Sequence, residues 1–558
     1  MRNTDIPSLT ELLSVLGRVQ AQFFTEQKAH MPHAAEACVK RHGLERQVGG
    51  FQQVPGAVDA RALQEGHRRH LHLFGEQPRK VPRTHAGECR HGFDGERLVQ
   101  MRQHMALHPR DRGFLGRHGG GHRAELGLPA LALHHHQQHF GHVHRDLLAV
   151  VLGDNRPRLY MGMLAAGVLG GYAMPVYSTA TPDEIRHFMH ETHVRFVLAE
   201  DQEQVDKVLD LGDQGATIKN IIYDEPRGLT NYSNPGLISW EKLQAIGADR
   251  LRAEPKLRNA LIERALPDGP AVFVHSSGTT GKPKGVVLSH RNFLAGVRNA
   301  HRGGAFTFGE TILAYLPMAW VGDFAITVGA GVALHFTINI PERQETVLHD
   351  LREVAPTFYL AAPRSWDNML TTIQVRMEDS TPLKKWLYDV FMNSALASER
   401  RKLEGKQPSL TERLMRQLGE WLIFGPIKDQ LGLTRLRGAF TGGEAIGEDT
   451  FVFYRALGVK LRQFYGQTES SAFTALQDTE EVRLHTVGKP LPGVEVKIGD
   501  NGEVLIRSGS VFSGYYKLEN ATREALEDGW LYTGDAGYIE PDGHMVVLGR
   551  LSEVVYTS

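Results

Sequence analysis

The chain has 558 residues, 41% of them apolar, and a formal net charge of −1. That length exceeds one compact core, so about two to four domains are expected, and the near-zero charge gives no global pull toward nucleic acid or an anionic membrane. Two cysteines, Cys38 and Cys89, make no disulfide framework and fit a reducing, cytoplasmic compartment.

The character of the chain changes near residue 146. Residues 1–150 hold 18 of the 28 histidines, both cysteines, and no Trp or Tyr. They carry 17 Arg against 3 Lys and 14 acidic residues, a net of +6, which leaves −7 on the remainder. No period of 3.6 or 2.0 is sustained there, and no basic start followed by an apolar run marks a secretory signal. Three readings stand for residues 1–145: a poorly structured or off-frame arm, a basic binding arm, and a metal site through His134, His135, His136 and His139. The composition favours the first, because a free histidine run supplies neither a fixed ligand shell nor its supports.

From residue 146 the pattern turns regular. "LLAVVLG" reads as a buried parallel strand. "LYMGMLAAGVLGGYAMPVY" (159–177) is uncharged over 19 residues, long enough to span a bilayer. The Gly170-Gly171 pair splits it, however, into a helix, a turn and a short buried strand. "VRFVLAE", "IKNIIYD" and "AVFVHSS" add strands with helices between, which predicts an α/β fold with parallel sheets. Residues 381–430 read as two amphipathic helices joined at "KQPS", with Ser409 as N-cap. "GVEVKIGDNGEVLIRS" alternates at period two around a turn, the mark of a hairpin in a small β unit over 480–548.

Between "AVFV" and "KGVVLSH" lies "HSSGTTGKPKGVVLSH" (275–290). It lacks the G-x-x-x-x-G-K-[ST] spacing of the common phosphate loop and runs from strand to strand. With no helix N-terminus to use, it must hold phosphate through backbone N–H groups, hydroxyls and lysines. An ordinary Gly-rich turn is the alternative.

The run Ser276–Gly285 resembles the signature of the adenylate-forming superfamily, which includes acyl-CoA synthetases, luciferases and peptide-synthetase adenylation domains. Further motifs follow in the family's order. "TGGEAI" (441–446) is similar to its adenine-side loop, "YGQTES" (465–470) to its aromatic-Gly-x-Thr-Glu motif, and "GWLYTGDAGYIEPDGHMVVLGR" (529–550) to its ribose-binding segment. The resemblance implies a large adenylation domain over 146–548, with parallel and mixed sheets flanked by helices and a small β-barrel-like unit. It implies ATP, Mg2+ and coenzyme A as cofactors and co-substrates. Ser276, Ser277, Gly278, Thr279, Thr280, Gly281, Lys282 and Lys284 would hold phosphates, and Thr468 would donate to the α-phosphate. Catalysis by positioning and charge neutralisation would rest on Thr280, Lys284, Thr468 and Glu469. Glu469 suits magnesium, which takes hard oxygen ligands. Tyr465, beside Gly466, offers a flat face to adenine, and Gly442 and Gly443 let the backbone approach the base with Glu444 alongside. Asp535 accepts the ribose hydroxyls, and Arg550 supplies a fixed cation. Each has a plain structural alternative: a surface glutamate, a core tyrosine, a turn-capping aspartate.

"YLPMAWVGD" (315–323), "APRSWDNM" (362–369) and the helical insertion at 381–430 are similar to the long-chain fatty-acyl subgroup. Fatty acid and CoA are then the expected partners, with peripheral membrane association and no nucleic acid. Trp320 is a candidate pocket residue, and "FAITVGAGVALHFTINI" (324–340) reads equally as tunnel wall or plain core. The final "GRLSEVVYTS" (549–558) resembles the family's hinge, with Glu553 at the pivot. The family's C-terminal lid and its lysine are expected after it, so the chain is read as lacking them, with impaired thioester formation. The alternatives are a non-catalytic nucleotide-binding remnant and an adenylating enzyme for another acid or for an acyl-carrier protein.

Overall fold

In a computed structural model, the described residues are 100–102 and 148–553, apart from 193, 216, 264 and 277–282. The readings of residues 1–145 therefore lie outside the described residues, except for a strand at Gln100–Arg102 that pairs antiparallel with Thr337–Asn339.

The all-apolar run at 148–152 sits in the middle of a seven-stranded sheet. In spatial order its strands are Leu237–Ser239, Asn220–Tyr223, Val194–Ala199, Leu148–Leu152, Tyr172–Val176, Pro270–Ser276 and Lys284–Ser289. Neighbours are parallel except the last two, which are antiparallel and flank the Gly/Thr loop. Val150, Leu152, Met174 and Val197 are fully buried, as a sheet covered on both faces requires. The uncharged stretch resolves as expected into a helix, Pro157–Val168, a turn, and the buried strand Tyr172–Val176. Among the described residues no helix is long and apolar enough to cross a membrane.

A second sheet orders Phe358–Ala361, Gly438–Thr441, Leu461–Tyr465, Ala475–Leu476 and Lys489–Pro490, parallel at first and then antiparallel. Its core includes Trp366 of "APRSWDNM", whose indole N–H donates to the Phe440 carbonyl at 3.2 Å. Strands Val494–Ile498, Glu503–Ser508, Leu526–Glu527, Trp530–Ile539 and Met545–Arg550 form an antiparallel sheet, and the predicted hairpin is its first pair.

The insertion forms helices Pro382–Leu403 and Leu410–Gly419, and Ser409 caps the second through a reciprocal pairing with Glu412. The first helix departs from simple amphipathicity. Phe391, Met392 and Ala395 are buried, yet Leu383, Trp386 and Val390 face solvent. The segment after Trp320 packs as core: Phe324–Ala330 is a widened helical turn with Phe324 against Phe293 at 4.6 Å between ring centroids.

Candidate active site

The predicted motifs converge because several strands end at one place. Ser276 ends one strand and Lys284 begins the next. "YGQTES" leaves the strand Leu461–Tyr465, and "TGGEAI" leaves its parallel neighbour Gly438–Thr441. Around these ends lies a cleft of about 950 Å³. Ser276, Lys284, Trp320 and Gly443 line it on one side, and Gly466, Thr468 and Glu469 on another. Gly534 and Arg550 of the small sheet complete the wall. Ligands of parallel sheets bind outside the carboxyl ends of strands, and the cleft occupies that position.

The turn that presents Glu469 is tight. A Cβ on Gly466 would stand 1.9 Å from the Ala472 carbonyl oxygen, so only glycine fits. Ser471 and Ala472 take positive φ of 57° and 75°, conformations that non-glycine residues hold only where the surroundings enforce them. Glu469 is buried, and its Oε1 accepts from the Tyr515 hydroxyl at 2.9 Å. The Lys284 ammonium lies 5.0 Å from the Tyr515 ring centroid, so one tyrosine touches both the candidate phosphate-binding lysine and the candidate metal ligand. Burial, then the Glu469 charge, pushes the Tyr515 hydroxyl far up, which keeps it a donor. One oxygen of Glu469 thus has a fixed donor, and the carboxylate belongs to the cleft wall, a hard-oxygen set suited to Mg2+.

On the side of the small sheet, the Tyr465 hydroxyl donates to Asp535 Oδ2 at 2.6 Å, and Arg550 Nη1 sits 3.1 Å from Oδ1. Asp535 and Arg550 are cross-strand partners beside a register shift at Ala536/Gly537, an irregularity of the kind that re-aims side chains. Burial raises the Asp535 carboxyl, opposed by the Tyr465 hydrogen bond and Arg550. Burial and the Asp535 charge raise Tyr465. Tyr465 itself is buried and stands outside the cleft lining, between Phe464 and Gly466, which line it.

Gly442 packs so that a Cβ would meet the Phe464 ring at 2.5 Å, and Gly443 takes φ of +90°. Glu444 is exposed and stands outside the cleft lining. Glu553 is exposed, its N–H donating to the Arg550 carbonyl at 2.9 Å. Ser277, Gly278, Thr279, Thr280, Gly281 and Lys282 lie outside the described residues.

Two cleft residues escaped the sequence reading. Tyr515 follows no motif, and its placement comes from a bridge between Val286 and Tyr515 that only the fold reveals. His275 packs at a tilt against Phe188, with ring centroids 3.8 Å apart, and burial, then His187, lowers it to about 4, so it stays neutral near neutrality.

A parallel-sheet body meeting a small antiparallel sheet at one cleft is the architecture of adenylate-forming enzymes. The chain belongs to the AMP-binding enzyme family, whose sequence profile matches residues 130–516. It is 27% identical over 422 residues to the long-chain-fatty-acid–CoA ligase ACSBG2 of Xenopus laevis, covering 73% of this chain and 56% of that one. It is 28% identical over 395 residues to the long-chain-fatty-acid–CoA ligase FadD15 of Mycobacterium bovis, covering 70% and 63%. The chain thus spans less than two thirds of the length of these relatives. A solved fatty acyl CoA synthetase of Mycobacterium tuberculosis superposes with a TM-score of 0.51 at 20% identity, covering 75% of this chain and 70% of that one. The N-terminal domain of FACL13 from the same organism gives 0.51 at 21%, covering 73% and 86%. At such identities the structural likeness speaks for the fold alone.

Proposed function

We propose that this protein activates a long-chain fatty acid with ATP and passes the acyl group to coenzyme A. The observation that carries this reading is the convergence of Lys284, Thr468, Glu469 and Arg550 on one cleft, from segments far apart in sequence, with Asp535 paired to Arg550 behind it. In the first step a carboxylate oxygen attacks the α-phosphorus of ATP. A P–O bond to pyrophosphate breaks, giving acyl-AMP and pyrophosphate. In the second the CoA thiol attacks the acyl carbonyl, loses its proton, and expels AMP.

All reacting groups are anionic, so the protein's task is positioning and neutralisation. Lys284 and Arg550 supply cations, Thr468 a hydroxyl for the α-phosphate, and Asp535 an acceptor for ribose. Mg2+ held by Glu469 would neutralise phosphate charge. The Ser277–Lys282 part of the loop, Thr280 included, is assigned to the β- and γ-phosphates on its sequence alone. The acyl chain is assigned to the apolar part of the cleft lining, which includes Trp320, Val321 and Phe464. The names of the curated relatives favour a long-chain acid. Peripheral association with a membrane, where such acids reside, is part of the reading.

Exchange of radiolabelled pyrophosphate into ATP, dependent on palmitate, tests the first step. Exchange with palmitate but not acetate or benzoate supports the proposal. ATP binding without exchange for any acid would reduce the protein to a nucleotide binder.

A further inference from the structure

We infer that the helix pair Pro382–Leu403 and Leu410–Gly419 docks the protein on an anionic lipid surface. This deepens the reading of peripheral membrane association and does not depend on the adenylation chemistry.

The two helices expose apolar rows that the fold does not use. On the first, Leu383, Trp386 and Val390 recur at helical spacing and are 67%, 59% and 37% exposed. On the second and its continuation, Leu410, Leu414, Leu418 and Trp421 follow one stripe, with Leu410 83% and Trp421 78% exposed. The rows belong to touching helices, since a Cβ on Gly419 would lie 3.2 Å from Phe391 Cδ1. Core packing is supplied by other residues: Phe391, Met392, Ala395, Phe424 and Ile427 join the buried cluster. Two largely exposed tryptophans, one on each of the touching helical segments, have no role in that core. Rows of exposed apolar side chains on neighbouring helices mark an interaction surface.

Charge decides what covers it. Residues 382–430 hold nine basic and six acidic residues, in a stretch beyond residue 150 that is net −7. Lys384 sits beside Trp386 in sequence and Arg413 beside Leu414, and both are exposed. A second copy of this chain would set the same basic fringe against itself. A bilayer with anionic headgroups accepts Leu and Trp at the acyl boundary and Lys and Arg at the phosphates. The helices are firmly mounted to present that face. Arg455 donates to the buried Glu399 at 2.8 Å, and Ser409 with Glu412 caps the second helix.

The test uses the full chain and vesicles of phosphatidylglycerol and phosphatidylcholine. The parent chain should sediment with anionic vesicles, release at high salt, and bind pure phosphatidylcholine weakly. The double variant Trp386→Ser, Trp421→Ser should lose at least ~10-fold in vesicle affinity. Lys384→Glu with Arg413→Glu should lose binding to anionic vesicles alone. Unchanged thermal melts would show that the variants fold. Should a tryptophan variant unfold, the charge variant and tryptophan fluorescence of the parent chain carry the test, a blue shift on vesicle addition being expected. Failure of the parent to bind, or equal binding by the folded variants, overturns the inference. So does a dimer in light scattering that the tryptophan changes dissociate. Palmitate-dependent pyrophosphate exchange without vesicles separates this outcome from the adenylation reading, because neither pair of substitutions touches the cleft.

Discussion

The Tyr465 hydroxyl donates to Asp535 Oδ2 at 2.6 Å across 70 residues of sequence, and so couples the aromatic-Gly motif to the segment proposed to bind ribose. The contact orients one carboxylate oxygen while Arg550 holds the other. Tyr465→Phe keeps the ring and removes the donor. A hydrogen bond to a charged group contributes about 1.5 kcal/mol, so AMP should bind roughly tenfold more weakly. Binding of 2′,3′-dideoxy-AMP should hardly change, because it lacks the hydroxyls that Asp535 accepts. Calorimetric titration with both nucleotides checks this. Equal losses for both would mean that the tyrosine acts by packing and not through Asp535.

Tyr515 gives a second expectation. Its hydroxyl fixes Glu469 Oε1, so Tyr515→Phe should raise the Mg2+ concentration needed for ATP binding about threefold to tenfold. Glu469→Gln should nearly abolish the Mg2+ dependence. Neither should lower the melting temperature much, since both side chains face a cleft. Equilibrium dialysis of ATP across a Mg2+ series reads the effect. Identical losses with and without Mg2+ would remove Glu469 from the metal's coordination.

Much of this was legible in the sequence. The strands at 148–152, 194–199 and 220–223 announced themselves because each is an apolar run buried in a parallel sheet, and the hairpin at 494–508 because its register alternates. Motif order foretold that Lys284, Glu469 and Arg550 would meet. What stayed hidden depends on distant contacts. The sequence carries no sign that the Tyr515 hydroxyl meets Glu469 or that the Tyr465 hydroxyl meets Asp535. The outward row of Leu383, Trp386 and Val390 was masked because the same helix also has an inward apolar face. Asp323, in "YLPMAWVGD", carries no sign in the sequence of its burial, yet it is 1% exposed.

The cap at Ser409 was read from the S-x-x-E pattern and is present on both sides: Ser409 Oγ accepts from the Glu412 N–H at 3.3 Å, and Glu412 Oε2 accepts from the Ser409 N–H at 2.7 Å. Ser409→Ala should cost about 1 kcal/mol locally. In a chain of this size global unfolding is a poor gauge. Amide hydrogen exchange over 410–419 should instead accelerate about fivefold, with the seven-stranded sheet unaffected. Uniform acceleration across both regions would show that the cap supports more than its own helix.

Asp323 sets the last expectation. Its carboxylate accepts from the Tyr160 hydroxyl at 2.7 Å and from Thr327 Oγ1 at 3.0 Å. Burial pushes it up to about 7 from an ordinary 3.8. Between these values the folded chain keeps a proton that the unfolded chain releases. The group's contribution is therefore fully present below 3.8 and is lost as pH rises through about 7. His275 works in the opposite direction. Lowered from 6.5 to about 4, it makes stability rise with pH across that interval. Asp323→Asn removes only the first effect, and the His275 contribution cancels when variant and parent are compared. The difference in melting temperature should move steadily in the variant's favour as pH rises from about 4 to 7, then stay constant. Thermal melts of both proteins across that range test it. A difference independent of pH would mean that Asp323 ionises normally in the folded chain, and that the Tyr160 and Thr327 hydroxyls compensate its burial in full.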